Sequence, residues 1–376
     1  MKISEFNYIL PSELVATHPV EPRDSAKLLV MNRASGELMD KRFTDLPDLL
    51  RSGDVLVFND SKVIPARLMA TINLPVIPAK AGIQSPRSFE VLLIKKSEGS
   101  TWECWVKPGR KAKVGDVFTF SAKLSATMLR REDDLFFLEF NLTGSEFYAE
   151  LAKIGEMPVP PYILKARELE TRNSKLKTSP PEDADDYQTI YAKAEGSVAA
   201  PTAGLHFTGD LMMRLRERGV QLEYVTLHVG LGTFQPVTTE VVEEFDIHSE
   251  IYEINLETAT RLNLAKAEGR RIIAVGTTTV RVLESAAAEI QACGLTNPGN
   301  MKHALLPQSG DTSIYIYPGY TYKFVDGMIT NFHLPKSSLL LLVAAFAGRD
   351  EIMNAYSHAV ENKYRFYSYG DGMVII

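Results

Sequence analysis

Four short stretches of this chain hold residue types equipped for chemistry. Gly196 to Phe207 reads Gly-Ser-Val-Ala-Ala-Pro-Thr-Ala-Gly-Leu-His-Phe, where small residues let backbone amides approach a ligand and Thr202 and His206 add a hydroxyl and a titratable ring. Leu227 to Gln235 follows a strand pattern and contains His228, Gly230, Gly232, Thr233 and Gln235. Gly-x-Gly at the carboxyl end of a strand is where open α/β sheets bind ligands. Gly276-Thr277-Thr278-Thr279 separates a strand from a helix that carries Arg281 and Glu284. Free amides and partial positive charge at that turn suit a carboxylate or phosphate, with Arg281 as a bidentate donor. Thr330 to Ser338 is a further strand-to-helix turn, placing Asn331, His333 and Lys336 on one rim. Each stretch also has a plain structural reading: a tight loop, a threonine N-cap, a hydrogen-bonded core histidine. Of seven histidines, His206, His228, His248 and His333 fall in or beside these turns, and imidazole is the natural proton shuttle near neutral pH.

Other chemistries lack their residues. No His-x-His, His-x-x-x-His or Cys-x-x-Cys pair occurs, so no metal centre is expected. Gly-x-Ser-x-Gly and the Gly-rich P-loop pattern are missing, which disfavours a hydrolase elbow and a nucleotide-triphosphate loop. Cations gather in Lys107-Pro108-Gly109-Arg110-Lys111-Ala112-Lys113, beside Trp102, Trp105 and Phe118. That mixture suits phosphate contacts and base stacking on a structured RNA, although a solvated charged turn is the plainer reading of the run alone. Arg270-Arg271 and the segment Tyr364 to Asp371, with Arg365, are further candidates. The formal charge of −6 excludes a protein that coats nucleic acid nonspecifically.

The positioning elements divide by pattern. A chain of 376 residues, with 45% hydrophobic and 23% charged residues, has the composition of an ordinary folded protein of two or three domains. Its longest strictly apolar run, Leu339 to Ala347, spans only ~14 Å as a helix, too short for a bilayer. Met1 to Leu10 lacks the continuous apolar core of a signal peptide, so a cytoplasmic location is expected, with Cys104 and Cys293 reduced. Lys27 to Asn32, the turn Ala34-Ser35-Gly36 and a second strand form a hairpin pattern. A short helix over Asp45 to Arg51 precedes the buried strand of Asp54 to Asn59. From Ile64 to Asn141 six strand patterns follow one another: Ala66 to Ile72, Phe89 to Lys95, Trp102 to Lys107, Asp116 to Phe120, Leu124 to Arg131 and Leu135 to Asn141. They predict a closed barrel, because closure removes exposed edges. Asn73 to Ser88, rich in Pro and Ala, reads as a surface insertion.

After a helix over Ser145 to Ile154, Met157 to Tyr162 is expected to be extended, since each Pro disfavours helix in its predecessor. Charged residues from Lys165 to Asp186 suggest a mobile loop or lid. Helix and strand patterns then alternate: helix Asp210–Arg218, strand Val220–Val229, helix Leu256–Glu268, strand Arg271–Val275, helix Thr279–Ala292, helices Ser338–Phe346 and Glu351–Lys363, and strand Met373–Ile376. The expected fold class is α/β: a discontinuous parallel-sheet domain of residues 1–62 and 158–376, interrupted by a six-stranded antiparallel β-barrel over 63–157.

Taken together, these stretches resemble the S-adenosylmethionine:tRNA ribosyltransferase-isomerase family of queuosine biosynthesis, from Phe6 to the last residue. The resemblance is carried by Arg23-Asp24-Ser25, Gly53 to Asp60, Ile64-Pro65-Ala66-Arg67, Lys107 to Lys111 and Tyr187-Gln188-Thr189. It continues through Gly196 to Phe207, Thr226 to Pro236, Val275 to Ser285, Thr330 to Ser337 and Tyr364 to Asp371. It implies a discontinuous α/β domain with an inserted barrel, and a reaction in which the ribosyl part of S-adenosylmethionine moves onto 7-aminomethyl-7-deazaguanine (preQ1) at tRNA position 34. Epoxyqueuosine, adenine and methionine would be the products. S-adenosylmethionine would be consumed as a cosubstrate, with no prosthetic group, no membrane partner and a monomer as the expected state.

The chemistry implied calls for a placed base beside the sulfonium. His206, His228 or His333 would accept or relay the C5′ proton, with Thr202 nearby in the chain. Gly230, Gly232, Thr233 and Thr277, Thr278 and Thr279 would hold the adenosyl and methionyl parts. Arg281 or the helix dipole would meet the carboxylate, Glu284 the ammonium, and Gln235, Asn331 and Lys336 the hydroxyls or the leaving base. Lys107, Arg110, Lys111, Lys113 and Arg365 would contact the tRNA. Two features depart from the family pattern: the 73–88 insertion replaces a short turn, and Phe245 stands where the family has a histidine three residues before His248. An RNA methyltransferase using Val229 to Thr233 is a rival reading, although a third Gly and an acidic residue on the next strand are not evident. A noncatalytic RNA-binding module is the other rival, and adenine release separates it from the transferase.

Overall fold

The computed structural model describes residues 1–72, 87–171, 182–230, 237–289 and 302–376. They fold as two compact units, one of residues 1–62, 185–194 and 200–376, the other of 63–184 and 195–199. Residues 158–184, expected with the α/β part, cluster with the barrel. No helix among the described residues is long and apolar enough to cross a membrane.

The first unit is built on a nine-stranded sheet, in the order Gln308–Thr312, Glu250–Ile254, Gln221–Leu227, Val55–Asn59, Ile272–Val275, Gly327–Asn331, Gly372–Ile375, Lys27–Met31, Leu38–Arg42. The four strands from Gln221–Leu227 to Gly327–Asn331 are mutually parallel. Both flanks add antiparallel pairings, so the expected parallel strands form the centre of a mixed sheet. Parallel pairs need long crossovers, whereas the hairpin at Ala34-Ser35-Gly36 reverses direction locally, and the C-terminal strand returns antiparallel to Gly327–Asn331 after two helices. Val55 to Phe58 is buried throughout, the mark of a central strand covered on both faces. Leu56, Phe58, Ile273, Val275 and Ile329 meet Phe207, Leu211 and Leu215 in one core cluster.

The helices are bounded by chemistry visible in the chain. Thr208 caps Gly209–Glu217 by accepting from the Leu211 amide at 3.1 Å, and Asn255 caps Leu256–Ala267 through the Thr258 amide at 2.8 Å. Ser337 caps the almost entirely apolar helix Ser338–Ala347. One expected helix is shorter. It runs Thr277–Ala286, and Ala287–Glu289 pairs antiparallel with His303–Leu305. The Leu306 amide takes the Ala286 carbonyl at 3.2 Å, a partner too distant in sequence for local pattern to reveal. The strands Glu250–Ile254 and Gln308–Thr312 were not anticipated, because buried Glu250 and polar Gln308-Ser309-Gly310-Asp311 break the hydrophobic alternation.

The second unit contains a closed antiparallel barrel in the order Leu135–Phe140, Thr101–Lys107, Arg87–Lys96, Arg67–Ile72, Val117–Thr119, Ser125–Glu132. Each strand matches an expected one. Arg87 and Ser88 lie in the barrel, paired with Ile72 and Thr71, so the insertion is narrower than 73–88, and 73–86 lie outside the described residues. Alternate side chains such as Leu68, Val91, Cys104 and Leu138 fill the interior. Cys104 is a free buried thiol, and Cys293 lies outside the described residues. Pro161 opens the helix Pro161–Thr171, correcting the extended reading at Tyr162: proline at the first helical position gives up only an amide that has no intrahelical partner. The charged stretch read as a lid contains this helix, the short helix Asp183–Asp186 and a pair between Arg167 and buried Asp183 at 2.8 Å, while 172–181 lie outside the described residues.

Candidate active site

Polar atoms without partners collect where the four parallel strands end. Ser61 Oγ follows Val55–Asn59, His228 Nδ1 follows Gln221–Leu227, Thr278 Oγ1 follows Ile272–Val275, and Asn331 Oδ1 closes Gly327–Asn331. Each is buried without a hydrogen-bond partner among the described residues. Buried polar groups are normally satisfied, because an unpaired one costs about 1–3 kcal/mol. Four such atoms at the carboxyl ends of adjacent parallel strands mark the crevice in which α/β sheets hold ligands. Thr189 Oγ1 is a fifth, on the segment that packs against the Thr202–His206 turn. A Cβ at Gly204 would fall 1.9 Å from the Tyr191 hydroxyl and 3.0 Å from Thr189 Cγ2, so only glycine lets these two segments meet.

The three candidate histidines differ sharply. His333 Nε2 bonds Thr330 Oγ1 at 2.8 Å, and its amide donates to the Tyr356 hydroxyl at 2.9 Å. Tyr8 donates a short bond to its carbonyl. Burial pushes the His333 ring down to about 3. His206 stacks on Phe43 at 4.1 Å, lies 3.4 Å from Asn331 Nδ2, and bonds the backbone of Arg23. Burial, then the charges of Arg365 and Arg23, hold it down to about 3 as well. Both rings are neutral and bonded. His228 is only partly buried. Its proton affinity is lowered by burial and partly restored by Asp60 and Glu253, and Nδ1 is left unbonded.

Two buried imidazoles held neutral make stability fall with acid. In the unfolded chain each titrates near its ordinary value of about 6.5, so below that pH the unfolded state takes up protons that the folded state refuses. The loss is about 1.4 kcal/mol per pH unit for each ring until the folded values near 3 are reached. The unfolding free energy from denaturant melts is therefore expected to fall by about 2 kcal/mol per histidine between pH 6.5 and 5, and His333→Asn to remove one such contribution. An unchanged pH slope in that variant would contradict the burial argument.

The remaining expected ligands separate into open and engaged groups. Thr202 is half-buried on its turn. Gly276 takes a positive φ of 87° and starts a helix without a side-chain cap, Thr277 is buried, and Thr279 Oγ1 folds back to the Val275 carbonyl at 2.8 Å. The buried Thr278 hydroxyl has no hydrogen-bond partner among the described residues. Arg281 is engaged by the fold through its two terminal nitrogens, while its buried Nε has no hydrogen-bond partner among the described residues. It pairs with Glu250, both side chains being 5% exposed, and reaches the Thr312 carbonyl at 3.3 Å. Glu250 also accepts the Gly230 amide at 2.9 Å, so the same carboxylate serves both Arg281 and Gly230. Glu284 is engaged too, accepting from the Tyr320 hydroxyl and the amides of Lys323, Phe324 and Val325 at 2.8–3.0 Å. Four donors fill a carboxylate, which leaves none of it for an ammonium. Lys336 has a left-handed φ of 58°, is half-buried, and forms no ion pair among the described residues. Gly232, Thr233 and Gln235 lie outside the described residues. His248 is exposed, and Phe245 packs on Tyr315.

Asp60, Ser61 and Thr189 were not singled out from sequence. Their signal was there: Asn59-Asp60-Ser61 is a polar triplet running out of the end of a wholly buried strand, the position at which such sheets place ligand groups. Asn59 itself bridges the strands, donating to the Leu227 carbonyl at 2.9 Å and accepting the Leu227 amide at 3.0 Å.

The expected RNA contacts fall in both units. Lys107, Arg110, Lys111 and Lys113 are all exposed on the barrel, after Thr101–Lys107 and in the turn Gly109–Lys111, without an ion pair among the described residues. A Cβ at Gly109 would sit 2.7 Å from Phe136, so glycine keeps this turn against the barrel wall. Trp102 and Phe118 are not available for base stacking: they are buried against Phe147 and Phe89, leaving Trp105 part-exposed. Arg365 lies in the α/β unit, bonded to the His18 carbonyl at 3.1 Å and 3.8 Å from Asp371.

Comparison with known proteins gives one consistent result. A family model described as "Queuosine biosynthesis protein" matches residues 3–375. A curated S-adenosylmethionine:tRNA ribosyltransferase-isomerase of Desulfitobacterium hafniense is 46% identical over 378 residues, covering 100% of both chains. The crystal structure of S-adenosylmethionine tRNA ribosyltransferase from Thermotoga maritima aligns with a TM-score of 0.51 at 35% identity, over 99% of this chain and 100% of that one. An unsatisfied polar rim at a parallel sheet's ligand edge, a basic-turned barrel and full-length kinship lead to the same place: the chain belongs to the S-adenosylmethionine:tRNA ribosyltransferase-isomerase family of queuosine biosynthesis.

Proposed function

We propose that this enzyme transfers and isomerises the ribosyl moiety of S-adenosylmethionine onto preQ1 at tRNA position 34, yielding epoxyqueuosine, adenine and methionine. The observation that carries the reading is the row of unbonded polar atoms on Ser61, His228, Thr278 and Asn331 along the ends of four parallel strands. A sugar rich in hydroxyls, attached to a nucleobase, would satisfy them. His228 is the base: its ring is neutral at physiological pH, partly accessible, and has a free nitrogen. It removes the proton from C5′, leaving the electron pair on carbon beside the sulfonium. Adenine departs with the glycosidic pair, the preQ1 amine bonds to the vacated C1′ as the C1′–O4′ bond opens, the C5′ pair closes onto C1′ to form the cyclopentane, and the freed O4′ displaces methionine from C5′ as the neutral thioether, closing the epoxide. With Arg281 and Glu284 engaged by the fold, Lys336 is the cation that meets the methionyl carboxylate. Asn331, held by the Tyr367 carbonyl at 3.0 Å and beside His206, orients a hydroxyl or the leaving base.

Incubation with preQ1-tRNA and S-adenosylmethionine, followed by nucleoside mass analysis, tests the reading. Equal amounts of adenine and a tRNA-bound epoxycyclopentane nucleoside support it; methylated tRNA without adenine contradicts it.

The barrel turn supplies the sequence-independent part of tRNA binding. Converting Lys107, Arg110, Lys111 and Lys113 to glutamine is expected to weaken binding and flatten its dependence on salt by about one logarithmic unit per phosphate contact removed. Binding curves over a range of salt concentrations read both effects. An unaltered slope would remove this turn from the interface.

A further inference from the structure

The carboxylate of Asp60 stands beside the candidate base with no role assigned to it. Strands Val55–Asn59 and Gln221–Leu227 are paired in parallel with Asn59 opposite Val225, and the Asp60 amide continues the ladder to the Val225 carbonyl at 2.9 Å. Asp60 thus faces Thr226, whose hydroxyl donates to Asp60 Oδ1 at 2.6 Å. Side chains alternate along a strand, so His228 projects on the same side as Thr226, one step further toward the crevice. The backbone of Asp60 is pinned as well, its carbonyl accepting the amides of Lys193 and Ala194 at 2.7 and 3.1 Å. The result is a carboxylate fixed by backbone and hydroxyl, with an imidazole next to it that has an unbonded nitrogen.

We propose that Asp60, oriented by Thr226, is the positioning carboxylate whose charge stabilises the imidazolium formed on His228 when the C5′ proton is taken. This rests on His228 being the base. The proton leaves carbon for the imidazole, the electron pair stays on C5′, and the new positive charge forms next to an existing negative one. A carboxylate in this place makes the proton transfer more favourable without itself accepting the proton. The surrounding charges agree in sign. Asp60 and Glu253 both raise the proton affinity of His228, against the effect of burial. Glu253 reaches it from Glu250–Ile254, where it pairs with Thr226. Asp60 is faced in turn by Lys193 and by the phenols of Tyr191 and Tyr224. Burial of Asp60 raises its own affinity, and the Thr226 bond and the Lys193 charge oppose this and favour the ionised form.

The test separates this inference from the reaction itself. The His228 ring is titrated by NMR in the free full-length protein, in wild type and in Asp60→Asn, with Glu253→Gln as the comparison. Loss of the Asp60 charge is expected to move the His228 titration to lower pH by more than loss of the exposed Glu253 charge does. Single-turnover adenine release at pH 7.5 is expected to fall about tenfold or more in Asp60→Asn, with its acid limb displaced downward, and Asp60→Glu is expected to recover part of the rate. In a His228→Ala background, Asp60→Asn should have no further effect. An unmoved His228 titration overturns the inference even if the enzyme is active. A moved titration with wild-type adenine release shows the pair to be real but overturns its part in catalysis. If His228→Ala keeps full turnover, the reading of the base has failed instead, and the inference with it.

Discussion

His228→Ala is expected to lower adenine release from S-adenosylmethionine by about 100- to 10,000-fold, the range general-base catalysis commonly contributes, while affinity for preQ1-tRNA is retained. The expectation follows from what distinguishes the three candidate rings. His333 is tied through Thr330 and the Tyr8–Tyr356 cluster, so its loss should register first as reduced stability. His206 is stacked on Phe43 and fixed between Arg23 and Asn331; its removal should displace Asn331 and affect binding and rate together. Only His228 combines partial exposure with an unbonded nitrogen. Adenine release in rapid-quench assays, with tRNA binding measured in parallel, checks the distinction. Full turnover by His228→Ala would remove it from the mechanism.

Glu250→Ala is expected to destabilise the protein by about 3–5 kcal/mol, the usual cost of leaving one member of a buried ion pair alone. Arg281 would remain in the core beside the Thr312 carbonyl, and the Gly230 amide would lose its acceptor. Replacing Glu250 and Arg281 together by apolar residues of similar volume is expected to recover much of the loss, because the uncompensated charge is then gone. Equilibrium unfolding of the single and double variants reads the difference. If Arg281 instead served the substrate carboxylate, Glu250→Ala would leave stability nearly unaltered, and Arg281→Met would raise the KM for S-adenosylmethionine without destabilising the fold.

The contrast between Arg281 and Thr278 shows what local pattern can and cannot reveal. Strand, turn and helix around Gly276 were legible because apolar Ile272 to Val275, a glycine and a run of threonines carry their own geometry. The six barrel strands were legible for the same reason, each a short alternating run between turn residues. Which polar group in a turn stays available was not legible. Arg281 and Glu284 are consumed by Glu250 and by residues 320–325, partners set by tertiary folding, and Glu250 lies on a strand whose pattern its own burial obscures. Asp60 and Ser61 were hidden differently. Asp60 belongs to a matching motif and Ser61 follows it, and only the register against Val225 and Thr226 gives Asp60 a place near His228.

A crystal structure with a non-reactive S-adenosylmethionine analogue, in which a nitrogen replaces the sulfonium sulfur, tests the central claim most directly. The account predicts the ligand across the carboxyl ends of the four parallel strands, with its ribose and base bonded to Ser61, Thr278 and Asn331, its C5′ facing the His228 ring, and its carboxylate at Lys336. An analogue bound elsewhere, with those four polar atoms still unbonded, would contradict it.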